Sequence, residues 1–270
     1  MLLQKKNAVI YGAGGSIGGA VARAFAGEGA NVFLTGRSMA SLLPVKEAIA
    51  ASGGNAEAAE VDALDAEAVD RHLKAVAEKA GTLDVSFNAI GLQDTQNIPL
   101  TEMDMDNFIR PVSIAMRTQF LTATAAGRIM MKQGTGVILS ITATPGGVGY
   151  PLVGGFGPAC CAIEGFSRNL ASELGPRGVR VVNIRSGGSP DSRPFREALA
   201  LPGPEAGIVI QQMKEDTMLK ELPLMADIAN VAVFLASGRA GKITGVTVDV
   251  TCGTTSGLNY KTAVMPFPQE

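Results

Sequence analysis

The 270-residue chain contains no Trp, one His and three Cys, and aromatic side chains make up only 5% of it. Each shortage closes off a chemistry. Cys160 and Cys161 are adjacent and Cys252 stands apart, so there is no CxxC pair and no His at metal-ligand spacing. No metal is expected, and the thiols are expected to be reduced. The lone His72 lies in "AEAVDRHLKAVAEKAG", where Val69, Leu73 and Val76 form the apolar face, and it reads as a solvated residue without a functional role. A formal net charge of -2 provides no broad basic field, which argues against nucleic acid as the main partner and leaves any phosphate to be met by local groups. No apolar run is long and uninterrupted enough to span a membrane. The opening "MLLQKKNAVIYGAGG" passes straight into a strand pattern without a signal-peptide core, so a cytoplasmic protein is expected.

What the chain has in quantity is apolar residues, 46%, and 33 Gly. The β-rich runs "NAVIYGA", "ANVFLTG", "AEAAEVDA", "LDVSFNAIG", "GVILSIT", "VRVVNIR" and "GVTVDVT" alternate with segments of helical period. In the first such segment Ile17, Ala20, Val21, Ala24 and Phe25 fall on one stripe. This alternation predicts an α/β fold, a mostly parallel sheet covered by helices on both faces, in a single domain spanning 1–270. A long helix is expected to begin near "TEMDMDNF", with Thr101 and Asp104 resembling a capping box and Pro111 kinking or delaying it. The Gly-, Pro- and Ser-rich stretch in about 187–222 reads as a substrate lid or a plain surface loop.

"AVIYGAGGSIGGAVARAF" puts Gly12, Gly14, Gly15 and Gly18 between a strand and a helix. Glycines there permit a tight turn and bring backbone N–H groups close to a pyrophosphate. The next strand ends "FLTGRS", with Arg37 and Ser38 where an acidic residue would bond a ribose 2′-hydroxyl. Arg accommodates a 2′-phosphate instead, so NADP(H) is expected in preference to NAD(H), unless Arg37 is only a solvated charge at a strand end.

On these motifs the chain resembles the short-chain dehydrogenase/reductase superfamily. "YGAGGSIG" is similar to its TGxxxGIG fingerprint, with Gly12, Ile17 and Gly18 in place, and Gly15 and Ser16 belong to the same turn. Asp62 in "EVDA" matches the residue that meets adenine, and "FNAIG" matches NNAG through Asn88, Ala89 and Gly91. The resemblance covers nearly the whole chain. It implies a Rossmann-like, doubly wound seven-stranded parallel sheet that binds NAD(P)(H), assembled as a homodimer or homotetramer through two long central helices.

It also implies an Asn, Ser, Tyr and Lys set, in which Tyr exchanges the proton as hydride moves, Lys binds ribose and tunes the Tyr, Ser orients the carbonyl and Asn holds a water relay. At the matching positions stand Ala115, Ala143, Phe156 and Cys160. Thr142, Thr144 and Cys160 are the candidate replacements, each with a packing alternative. Adjacent residues of a strand face opposite ways, so Thr142 reaches the carbonyl site only if the strand end twists. A thiol at 160 finds no local Lys to activate it. Tyr150 reads either as a phenol near the site or as a lid-packing aromatic, and Ser189 and Asp191 read as solvated turn residues.

Three functions stay open: an NADP(H)-dependent oxidoreductase with a non-standard catalytic site, a nonredox enzyme on the same scaffold, or a catalytically silent nucleotide-binding or partner subunit. Leu199, Leu201, Ile208, Val209 and Ile210 point to a largely apolar small-molecule substrate, or to core or oligomer contacts.

Overall fold

A computed structural model describes residues 1–257. Its strands are β1 (Asn7–Tyr11), β2 (Asn31–Gly36), β3 (Asn55–Glu60), β4 (Val85–Asn88), β5 (Gly136–Ala143), β6 (Val179–Ser186) and β7 (Thr247–Val250). All pairings are parallel, in the order β3-β2-β1-β4-β5-β6-β7. The chain leaves β3 at one edge and re-enters beside β1, so the order reverses between β1 and β4. In an open parallel sheet, the carboxyl ends of the strands at such a reversal form a crevice.

The helices are α1 (Ser16–Gly27), α2 (Met39–Ala51), α3 (Ala66–Ala80), α4 (Met105–Gln133), α5 (Phe156–Leu174), α6 (Arg193–Leu199), α7 (Glu205–Glu215) and α8 (Met225–Ala236). One face of the sheet is covered by α1, α2 and α8, through Val21, Phe25, Leu42, Ile228 and Leu235 against Ile10, Leu34 and Val182. The other is covered by α3, α4 and α5, through Leu73, Met130 and Leu170 against Val9, Phe33 and Ile138. Burying a side chain of this size contributes about 1.5–3 kcal/mol, so two such layers supply the main driving force for the fold.

Local chemistry sets the helix ends. Asp65 accepts the N–H groups of Glu67 and Ala68 at the start of α3, and Gly81, at φ +83°, ends it. The start of α4 departs from the Thr101 capping box read in the sequence. Asp104 alone is the N-cap, accepting Asn107 N–H at 2.8 Å. Nor does Pro111 delay the helix, because α4 begins at Met105 and continues through it. His72 also departs from expectation: it is half-buried in a cavity of about 140 Å³ with Phe33, Glu57 and Val76, and its Nδ1 has no hydrogen-bond partner among the described residues.

Candidate functional site

At the β1/β4 reversal lies a cleft of about 430 Å³. Its floor is the β1–α1 turn. Gly12 has φ +74°, and a Cβ there would stand 2.6 Å from Ala89 O; a Cβ on Gly18 would stand 2.3 Å from Gly12 O. These two glycines therefore serve close packing of backbone on backbone. Gly91 differs, since a Cβ on it would meet nothing within 4 Å and would instead project from a residue of the cleft wall. Gly15 is the N-cap of α1 and supplies no side-chain cap, and the first turn of α1 carries no acidic residue. The N–H groups at that end are left for an anion.

Of the cofactor residues expected from sequence, Gly12, Gly15, Arg37, Ser38, Asp62, Ala89 and Gly91 line this cleft. Ile17 packs against the core. Asn88 is buried, donating to Thr122 Oγ1 at 3.1 Å and accepting Ile90 N–H at 3.1 Å, so it braces the 88–91 turn from behind. Ser16 Oγ accepts the backbone N–H of Arg193 at 2.9 Å. Asp62 accepts Leu64 N–H at 3.0 Å and is exposed. Arg37 is exposed and, among the described residues, pairs with no carboxylate. Tyr11 and Arg193 also line the cleft. The Tyr11 hydroxyl is buried without a partner among the described residues, and burial, with a lesser effect of Asp70, pushes its pKa up.

The donor set fits a dinucleotide: an uncapped helix N-terminus, a glycine cradle, an Arg beyond β2 that is unpaired among the described residues, and a carboxylate beyond β3. No ion-binding cluster of His, Cys, Asp and Glu occurs among the described residues.

The four positions assigned to proton chemistry look different. Ala115 is fully buried and packs with Leu92, Ala159 and Ile163, and Phe156 lies against the same group. Cys160 is 1% exposed, and burial pushes its thiol up to about 11, although a hydrogen bond from the Ala143 backbone opposes the shift. At neutral pH the thiol is protonated.

Thr142 does not face this group. Its hydroxyl donates to Glu164 Oε1 at 3.0 Å and accepts Asn183 Nδ2 at 2.7 Å, all within the interior. Thr144 is buried, its hydroxyl 3.5 Å from Ser186 O. Ser189 and Asp191 are not the solvated turn residues read from sequence: Ser189 is buried with a hydroxyl that has no partner among the described residues, and Asp191 accepts Met225 N–H at the start of α8.

A second, larger groove of about 640 Å³ lies along the loop between β5 and α5. Leu100, Val148, Tyr150, Leu152 and Cys161 line it, and no charged side chain does among the described residues.

Crevice, glycine turn and sheet order together define a nucleotide-binding α/β protein of the Rossmann type. The family model described as enoyl-(acyl carrier protein) reductase matches residues 12–255, and the chain belongs to the short-chain dehydrogenase/reductase superfamily, an oxidoreductase family that uses nicotinamide cofactors. A short-chain reductase protein, NovJ, of Streptomyces niveus is 31% identical over 93% of this chain and 94% of its own length. A 3-oxoacyl-[acyl-carrier-protein] reductase of Synechocystis is 29% identical over 91% and 95%. The crystal structure of a putative short-chain alcohol dehydrogenase from Sinorhizobium meliloti superposes with a TM-score of 0.83 at 29% identity, covering 95% of this chain and 98% of that one.

Proposed function

We propose that the protein is an NADP(H)-dependent oxidoreductase with a non-standard catalytic site, acting on a small and largely apolar molecule. The observation that carries the NADP(H) preference is Arg37, exposed at the end of β2, lining the cleft and free of any carboxylate pair among the described residues. A guanidinium there offers a charge-assisted bond to a 2′-phosphate, and the acidic neighbour Glu60, paired with Gly36 across the β2–β3 edge, is already engaged in accepting the Met39 N–H at 2.6 Å.

When bound, the reduced nicotinamide supplies a hydride. The chain's own contribution is positioning, because Ala115, Ala143 and Phe156 carry no transferable proton and Cys160 holds its proton up to about pH 11. The proton that accompanies reduction then comes from water or from the substrate, or the acceptor is already activated, as an iminium or conjugated system is. The uncharged groove beside Gly157 supports an apolar substrate.

Calorimetric titration should give tighter binding of NADPH than of NADH, and Arg37→Gln should reduce the preference by about tenfold, the worth of one charge-assisted bond. Equal affinities in the wild type would remove the NADP(H) assignment. Loss of reduced-nicotinamide absorbance with apolar carbonyl, iminium or conjugated acceptors would support the redox reading.

The packing of Phe156 over Ala115 favours a second reading, a silent nucleotide-binding subunit. Tight NADPH binding with no oxidation by any of these acceptors would favour it.

A further inference from the structure

Among the described residues two cations line the cleft, and one of them follows from the strand ends. We propose that Arg193, in the segment after β6, is the cleft's second phosphate-binding cation, taking the pyrophosphate common to all dinucleotides while Arg37 takes the 2′-phosphate. The proposal rests on the nucleotide-binding reading above and extends it to a link between nucleotide and lid.

Position carries the assignment. Arg193 lines the same cleft as Gly12, Gly15 and Arg37. Its backbone N–H donates to Ser16 Oγ at 2.9 Å, and Ser16 is the first residue of α1. Arg193 is thereby pinned beside the uncapped N-terminus where a pyrophosphate would sit, whereas Arg37 stands beyond the neighbouring strand.

The base of the segment is fixed from its other side. Both Asp191 carboxylate oxygens accept Met225 N–H, at 3.1 and 3.2 Å, and Ser192 N–H donates to Ser189 O at 3.0 Å. These bonds hold the Arg193 backbone in place before any ligand arrives, which lowers the ordering cost of using its side chain.

The side chain itself is uncommitted. Its one ion contact among the described residues is Glu197 at 3.7 Å, one turn along α6, with the two side chains 67% and 69% exposed. Exposed pairs of this kind are weak, so a phosphate able to accept two parallel N–H bonds from the guanidinium would displace it. Because Arg193 opens α6, engaging its side chain should also tie the helix beyond that fixed point to the nucleotide, coupling occupancy to order in the rest of α6.

The test compares wild type, Arg193→Gln and Arg37→Gln by calorimetry with four probes: NADPH, NADH, ADP-ribose and adenosine 2′-monophosphate. Arg193→Gln should weaken NADPH, NADH and ADP-ribose by a similar factor of about ten and leave adenosine 2′-monophosphate unchanged. Arg37→Gln should do the reverse, weakening only the two probes with a 2′-phosphate. Arg193→Lys keeps the charge without the fork and should fall between. ADP-ribose should also slow amide exchange across residues 193–199 in the wild type and not in Arg193→Gln.

Wild-type affinities retained in Arg193→Gln would overturn the proposal while leaving the nucleotide-binding reading intact. A loss confined to the 2′-phosphate probes would overturn the pyrophosphate assignment. Failure of the wild type to bind any of the four would remove both readings. The substituted side chain is exposed and the backbone bond to Ser16 survives either change, so the variants should melt with the wild type.

Discussion

His72 shows how one side chain can shape the response to acid. Burial lowers its pKa below the ordinary imidazole value, and the Glu57 carboxylate opposes the shift in part. In the window below that ordinary value, about 6.5, the unfolded chain binds a proton that the native state does not, so stability falls as the pH falls. Below the native pKa both states are protonated and the loss is complete. His72→Leu keeps an apolar body against Phe33 and Val76 and removes the titration. Urea unfolding between about pH 7.5 and about pH 5 should therefore show a shallower loss of stability in His72→Leu than in the wild type. Parallel slopes would mean that the imidazole titrates in the native state as it does in water.

At the scale of elements, four segments are joined by one charged network under the turn that follows β5. Arg185 on β6 binds Glu164 on α5 through Nε at 3.0 Å and Nη2 at 2.6 Å, and reaches Asp249 on β7 at 3.1 Å. The Glu164 carboxylate also accepts the Thr142 hydroxyl from β5. The bonds to Glu164 hold the guanidinium pKa above its usual value despite burial. A carboxylate 6% exposed and stripped of its cation is expensive, so Arg185→Met should cost about 3–5 kcal/mol in chemical unfolding. Replacing both partners removes the stranded charge, so Arg185→Met with Glu164→Leu should recover most of that loss. A double variant no more stable than the single one would show that the network contributes through its bonds rather than by neutralising a buried charge.

This network also marks where sequence reading stops. The five inner strands were legible because strands buried in a parallel sheet are written as apolar runs; the edge strands β3 and β7, which hold no buried residue, were legible from their place in the strand–helix alternation; and the glycine turn was legible because only Gly tolerates those backbone contacts. Arg37 could be placed in the cleft because it follows β2 directly, and Asp62 because it matches the family resemblance. Glu164 and Arg185 meet only through helix-on-sheet packing, which no local pattern records. Arg193 is likewise brought to the cleft by the return of a distant loop. Thr142 was ambiguous by one strand position, and the structure turns it inward toward Asn183 and Glu164. Asp104 was legible only as the partner of Thr101 in a capping box, whereas it is itself the cap, its carboxylate accepting both the backbone N–H and the side-chain amide of Asn107.

For the whole molecule, the long helices α4 and α5 raise the matter of assembly, which the family resemblance implies as a homodimer or homotetramer. Their outer surfaces support it. Phe120 on α4 is 56% exposed, and its ring meets Phe166 of α5 with centroids 6.3 Å apart. Ile109 and Met105, further up α4, are 42% and 71% exposed. Aromatic side chains are scarce in this chain, and one left open beside another on two adjacent helices suits a self-complementary contact about a two-fold axis. The inner faces of the same helices carry Ala115, Phe156 and Cys160, so a partner pressing on the outer faces would brace the apolar group at the catalytic positions. Phe120→Glu places a charge in the centre of such a contact, where an unpaired carboxylate is strongly disfavoured. Light scattering should give a dimer or tetramer for the wild type and a smaller species for Phe120→Glu, with nucleotide affinity unchanged because the cleft lies at the strand ends. A monomeric wild type, or a variant of unchanged mass, would place any assembly surface elsewhere.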